Sequence, residues 1–170
     1  MRELRPIHVG RWADSGQVAA RGSRPGCYGP ADVSGCRVNE ALAGKVYPPV
    51  RFPVSPERVA AFSRAVGHTG GEGVPPTFAT APEIEAMRAV IDDPELELDF
   101  SRVIHADQSY AWARPIAIGD ELTATPSIES IRSKAGSELL VVATEIVGAD
   151  GAPVVAARCT LVVRPAGAGP

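Results

Sequence analysis

The sequence predicts an α+β domain in which one curved antiparallel sheet wraps around a central helix. Three observations lead there. Two stretches in the first half carry helical spacing with helix start and stop signals. After Arg102 the chain reads as four extended runs. The turns between them include Gly119-Asp120 and Ala149-Asp150-Gly151, and an Asp-Gly pair between apolar runs signals a hairpin.

Residues 1–43 stand apart. They hold Arg2, Arg5, Arg11, Arg21, Arg24 and Arg37 among many Gly and Ser, without a sustained period, and read as an irregular arm. Its arginines suit an acidic carrier-protein surface, although a solvated tail is the plainer account. The domain itself is expected over 44–165, with a short tail at 166–170. Val46-Tyr47-Pro48-Pro49-Val50-Arg51-Phe52-Pro53-Val54 must be extended, because its prolines exclude both a helix interior and a central strand. Ser55 then caps a helix with Pro56 in its first position. Val59, Phe62, Ser63 and Val66 follow at helical spacing until Gly67 stops the run.

A Gly-rich loop, His68-Thr69-Gly70-Gly71-Glu72-Gly73, leads to Pro75-Pro76-Thr77-Phe78. The central helix is expected to begin between Thr77 and Ala81 and to run to about Ile91, with Ile84, Met87, Arg88 and Ile91 on one face. Asp92-Asp93-Pro94 ends it. The strands are expected over Arg102 to Ile116, Glu121 to Ser133, Leu139 to Val147 and Pro153 to Arg164. The third is apolar almost throughout, as for burial on both faces.

Composition narrows the function classes. A chain of 170 residues suits one domain with a sizeable core. A formal net charge of −3 offers no global basic field for nucleic acid. No apolar run reaches the ~18 residues a membrane helix needs, and Arg2 and Arg5 are followed by mixed polar residues rather than a secretory apolar stretch. A cytoplasmic protein is expected. Of the three cysteines, Cys27 and Cys36 lie far from Cys159, and no second Cys/His pair has zinc-site spacing. Neither a metal nor a cofactor is expected.

Several stretches between Gly44 and Arg164 carry a family resemblance. They are Gly44-Lys45-Val46-Tyr47-Pro48-Pro49, Phe62-Ser63-Arg64-Ala65-Val66-Gly67, Val74-Pro75-Pro76-Thr77-Phe78, and the long block Asp99-Phe100-Ser101-Arg102-Val103-Ile104-His105-Ala106-Asp107-Gln108. That block continues to Ala113-Arg114-Pro115 and Gly119-Asp120-Glu121-Leu122. Together they resemble the MaoC-like dehydratase N-terminal family, in particular the small subunits of (3R)-hydroxyacyl-thioester dehydratases. The resemblance implies a hot-dog fold and reversible syn hydration of an enoyl thioester. It also implies an acyl carrier protein or coenzyme A thioester as ligand, and pairing of hot-dog domains as a homodimer or heterodimer. Such chemistry needs an acid/base pair near the acyl Cα and Cβ and donors to the thioester carbonyl, which the helix N-terminus supplies.

The chain departs from that family where the catalytic Asp-x-Asn-Pro loop belongs. His68 stands in the expected Asp position and Gly73 in the expected His position, and the loop is shortened. His68 and Glu72 are the candidate replacement pair, set against a solvated Gly-rich loop without catalytic geometry. Thr77, His105 and Gln108 are the candidate substrate-binding residues. Capping the central helix is the plainer role for Thr77, since threonine favours that position. His105 and Gln108 should point to opposite faces of a strand, so that at most one meets the central helix. Tyr110 and Trp112 read as packing residues, and Arg114 as a surface arginine that could instead meet a phosphopantetheine phosphate.

The expected function is an acyl-thioester dehydratase-family subunit, a hydro-lyase relative. It shapes an acyl channel without its own catalytic dyad and acts with a catalytic MaoC-like subunit. The alternative is a degenerate hot-dog domain repurposed to bind or cyclise a hydrophobic polyketide-like molecule. A thioesterase would need a placed carboxylate such as Glu85 on the central helix, where a surface glutamate is the plainer reading.

Overall fold

A computed structural model describes residues 37–68 and 73–165. Five strands form one antiparallel sheet in the order β1-β3-β4-β5-β2: β1 (Val50–Pro53), β2 (Val103–Trp112), β3 (Glu121–Lys134), β4 (Ser137–Val147) and β5 (Pro153–Val163). Two helices precede β2: α1 (Pro56–Ala65) and α2 (Thr80–Ile91). The architecture is the hot-dog fold, a curved sheet around the central helix α2. The proline-rich segment contributes β1, a four-residue edge strand, where a missing N–H is tolerated. Ser55 accepts a hydrogen bond from the Arg58 N–H at the start of α1, with Pro56 behind it.

The core lies between α2 and the concave face of the sheet. One apolar cluster gathers around Met87 and Val90 with Ile128, Leu140, Val142 and Leu161. A second gathers around Phe78, Ala79 and Ala86 with Phe52, Val59, Leu122 and Ile146. Phe78 anchors it, its ring edge-on to Phe62 at 5.3 Å and to Phe52 at 6.0 Å. Burying each such aliphatic or aromatic side chain stabilises the fold by about 1.5–3 kcal/mol.

Several expectations change. The packed chain reaches back before Gly44: Val38 is buried, its N–H and the Arg37 guanidinium meet the buried carboxylate of Glu138, and Asn39 caps a short 3-10 turn, Glu40–Leu42. Residues 1–36 and 166–170 lie outside the described residues. The buried face of α2 is Glu83, Ala86, Met87 and Val90; Ile84 and Arg88 face outward. β4 is buried on one face only, through Glu138, Leu140, Val142, Thr144 and Ile146, because only α2 covers it. β2 stops at Trp112, since Arg114-Pro115 turns the chain away and Ile116 packs from a loop.

Candidate active site

The first part of the site is built by the end of α1. Gly67 takes a left-handed φ of 68°, which glycine accepts without strain. Its N–H bonds to the Arg64 carbonyl, and the His68 N–H reaches back to the Ser63 carbonyl at 2.8 Å. These two bonds form a Schellman motif, and they tie the His68 backbone to the helix end. His68 therefore has a rigid support, which its Gly-rich surroundings in the sequence conceal. Glu72, the other half of the candidate pair, lies outside the described residues.

His68 lines a cleft of about 690 Å³ with Phe62, Val66, Pro75, Thr77 and Thr80. The floor is the start of α2. A 3-10 turn, Pro76–Ala79, leads into that helix, and Ala79 occupies the N-cap with no side-chain cap. Thr77 is thus not the capping residue: it sits inside the 3-10 turn and is exposed along the cleft. The cleft combines apolar walls, threonine side chains and one imidazole among the described residues.

The second part is a polar seam between α2 and β2. A β-bulge falls at Ala106, so His105 pairs with Leu161 while Asp107 pairs with Thr160. The extra residue cancels the alternation, and His105 and Gln108 share the inner face instead of opposing each other. Their side chains meet, His105 Nε2 to Gln108 Oε1, at 3.2 Å. Gln108 Nε2 donates to both carboxylate oxygens of Glu83, at 2.9 and 3.1 Å. Tyr110 donates its hydroxyl to Glu83 Oε2 at 2.7 Å and lies 2.7 Å from Thr80 Oγ1.

Glu83 is 1% exposed. A buried carboxylate persists only when its oxygens are satisfied, and these three hydrogen bonds satisfy them. Its place in the first turn of α2 adds the favourable end of the helix dipole. Burial raises the Tyr110 phenol above its ordinary value; the hydrogen bond with Thr80 opposes this and the Glu83 carboxylate adds to it, so Tyr110 keeps the proton it donates. Burial also pushes the Cys159 thiol up to about 12, with the charges of Glu83 and Asp107 adding to it, which leaves a small inert core residue.

Sequence reasoning missed Glu83. An acidic residue in a helix's first turn ordinarily marks a solvated dipole partner. The available signal was its spacing from Ala86, Met87 and Val90, which places it on their face. Glu85 is exposed and paired with Arg58 of α1 at 3.2 Å, a surface tie and not a reactive group. Tyr110 and Trp112 stack with ring centroids 5.3 Å apart, but Tyr110 also belongs to the polar seam.

Arg114 binds Asp120 through two hydrogen bonds of 2.7 and 3.1 Å and closes the 115–120 loop by donating to the Pro115 carbonyl. It also lines a smaller cleft of about 350 Å³ with Val74, Trp112 and Ile116. Its first role is therefore structural. Among the described residues no group of three or more His, Cys, Asp or Glu side chains is placed to hold a metal ion, and no helix is long and apolar enough to cross a membrane.

Comparison with known proteins identifies the lineage. A UPF0336 protein of Streptomyces coelicolor is 38% identical over 145 residues, spanning 76% of this chain and 97% of its own length. A chain of the C-terminally truncated HadBC (3R-hydroxyacyl-ACP dehydratase) complex of Mycobacterium tuberculosis superposes with a TM-score of 0.59 at 24% identity, covering 71% of this chain and 96% of that one. A MaoC-like dehydratase superposes with a TM-score of 0.62 at 25% identity, covering 75% of this chain and 43% of that one. Residues 41–157 match the family described as FAS1-like, dehydratase domain region, which together with the shared fold makes this chain a member of the MaoC-like hot-dog dehydratase family.

Proposed function

We propose that this chain is a dehydratase-family subunit that shapes an acyl-thioester cleft but relies on a catalytic hot-dog partner for proton transfer to (3R)-hydroxyacyl or enoyl thioesters. The observation that carries this reading is the make-up of the cleft at the start of α2. Its described lining is apolar and hydroxyl-bearing, with His68 as the single titratable side chain. Hydration of an enoyl thioester moves one proton to carbon and takes another from water, so it calls for an acid and a base together. The buried acid nearby, Glu83, is occupied by Gln108 and Tyr110.

The sheet edges favour a partner. β1 is short and proline-bearing, which discourages further pairing. β2 is ten residues long, ends the sheet, contains no proline, and leaves Ile104 and Trp112 about half exposed, at 48% and 42%. An open edge of that length, with an exposed apolar side chain near each end, suits association with a second hot-dog domain. The mycobacterial complex that shares this fold is a (3R)-hydroxyacyl-ACP dehydratase assembled as HadBC, which fits an acyl carrier protein or coenzyme A thioester as the ligand.

The test is hydration of 2-enoyl-CoA, followed by loss of enoyl absorbance, with the purified chain alone and mixed with MaoC-like subunits from its own genome. The expected outcome is no turnover by the chain alone and clear turnover in one mixture, beyond that of the partner alone. Turnover by the chain alone, or no gain in any mixture, would overturn the proposal.

A further inference from the structure

We propose that Glu83 is a positioning residue that sets the direction of every hydrogen bond along the α2–β2 seam. In doing so it makes Thr80 an acceptor at the cleft, selective for an acyl thioester that carries a hydroxyl group. The inference rests on the proposed function in one respect: it takes the cleft beside Thr80 as the acyl-thioester site.

The direction follows from counting protons. Both oxygens of Glu83 accept, one from Tyr110 and both from Gln108. Tyr110 has one hydroxyl proton, and it goes to Glu83. The 2.7 Å contact between Tyr110 and Thr80 must then use the Thr80 proton, with Tyr110 accepting. Gln108 turns its amino group to Glu83, so its carbonyl oxygen faces His105 and needs a donor there. His105 consequently carries a proton on Nε2, and the neutral ring then leaves Nδ1 as the acceptor. A flipped Gln108 would set its carbonyl against the carboxylate, acceptor against acceptor. One buried charge thus fixes four polar side chains.

The consequence lies at the cleft. Thr80 is half-buried and lines it beside Phe62, Val66 and Pro75. With its proton committed to Tyr110, Thr80 offers only lone pairs to a ligand. Those lone pairs accept from an alcohol O–H and gain nothing from a methylene group. An acyl chain with a hydroxyl near its thioester end would therefore be held more tightly than its saturated counterpart. The difference expected from one hydrogen bond to a neutral group is about fivefold in Kd.

Isothermal titration of the full chain with (3R)-3-hydroxyhexanoyl-CoA and with hexanoyl-CoA tests this. The wild type is expected to favour the hydroxyacyl thioester about fivefold. Thr80→Val should bring the ratio of the two affinities close to one. Glu83→Gln keeps the shape but offers a donor where a carboxylate stood. It should narrow the preference, and it should release the His105 tautomer from its Nε2-protonated form, read from imidazole nitrogen NMR shifts.

General damage to the fold would weaken both ligands together and leave their ratio intact, and thermal unfolding of each variant identifies it. Equal wild-type affinity for the two thioesters would overturn the inference alone. So would equal weakening of both by Thr80→Val in a folded protein, since it would assign the donor to the pantetheine amide. Binding of neither thioester would overturn the inference and the proposed function together.

Discussion

At the scale of single residues, the seam is held by the cost of leaving a buried charge short of a partner. Tyr110→Phe removes one of the three hydrogen bonds to Glu83 while keeping the ring against Trp112. The expected loss is about 1–3 kcal/mol of stability, measured by urea unfolding. Two partly buried loop carboxylates, Asp120 and Asp93, give a pH signature. Hydrogen bonding and charge from Arg114 hold the Asp120 carboxyl below its usual range, against some burial. Asp93 is also held low: burial opposes it, but hydrogen bonds from Lys45 and Tyr47 outweigh that cost.

A carboxyl depressed in the folded state contributes stability that is complete above its unfolded pKa, about 3.9, and is lost as pH falls towards the folded value. Wild-type stability should therefore decline below about pH 4. Asp120→Asn should flatten that decline in unfolding curves collected across the acid range. An unchanged slope would show that Asp120 does not contribute.

At the scale of elements, one inserted residue decides what faces the core. The bulge at Ala106 is where β2 gains a residue relative to β5, and it brings His105 round beside Gln108. Deleting Ala106 restores strict alternation, so the segment before it must either turn His105 outward or lose its pairing with Val162 and Val163. The expected result is a lower Tm together with loss of the His105–Gln108 hydrogen bond, visible as a change in the His105 imidazole nitrogen shifts. Retention of those shifts would mean that the register adjusts elsewhere. The end of α1 works by the same local logic: Gly67 closes the helix and the motif delivers His68 to the cleft wall.

At the scale of the whole molecule, the question is which edge of the sheet is left to a partner. β1 pairs β3 through four residues and ends in Pro53, while β2 ends the sheet with ten. Ile104 is 48% exposed on that edge and contributes little to the core of the isolated chain. Ile104→Lys should leave the Tm of the isolated chain within a few degrees, because surface substitutions cost about 0.5 kcal/mol or less. It should nevertheless weaken association with the catalytic partner, measured by light scattering after gel filtration, since a charge on an edge opposes strand addition. Unchanged association would move the interface away from β2.

Local signals in the sequence determined the element order, the cap at Ser55, the stop at Gly67, the edge placement of the proline-rich segment and the hot-dog family itself. Each of those depends on backbone preferences or on motifs contained within a few neighbouring residues. The tertiary structure decided what local rules cannot reach. A bulge at Ala106 depends on how β5 pairs, so the shared face of His105 and Gln108 was not legible. Glu83 has the composition of a surface residue and becomes a core residue only because Gln108 and Tyr110, 25 and 27 positions away, arrive to satisfy it. The face of α2 that is buried likewise follows from the sheet laid against it, which is why Ile84 lies outside and a carboxylate within.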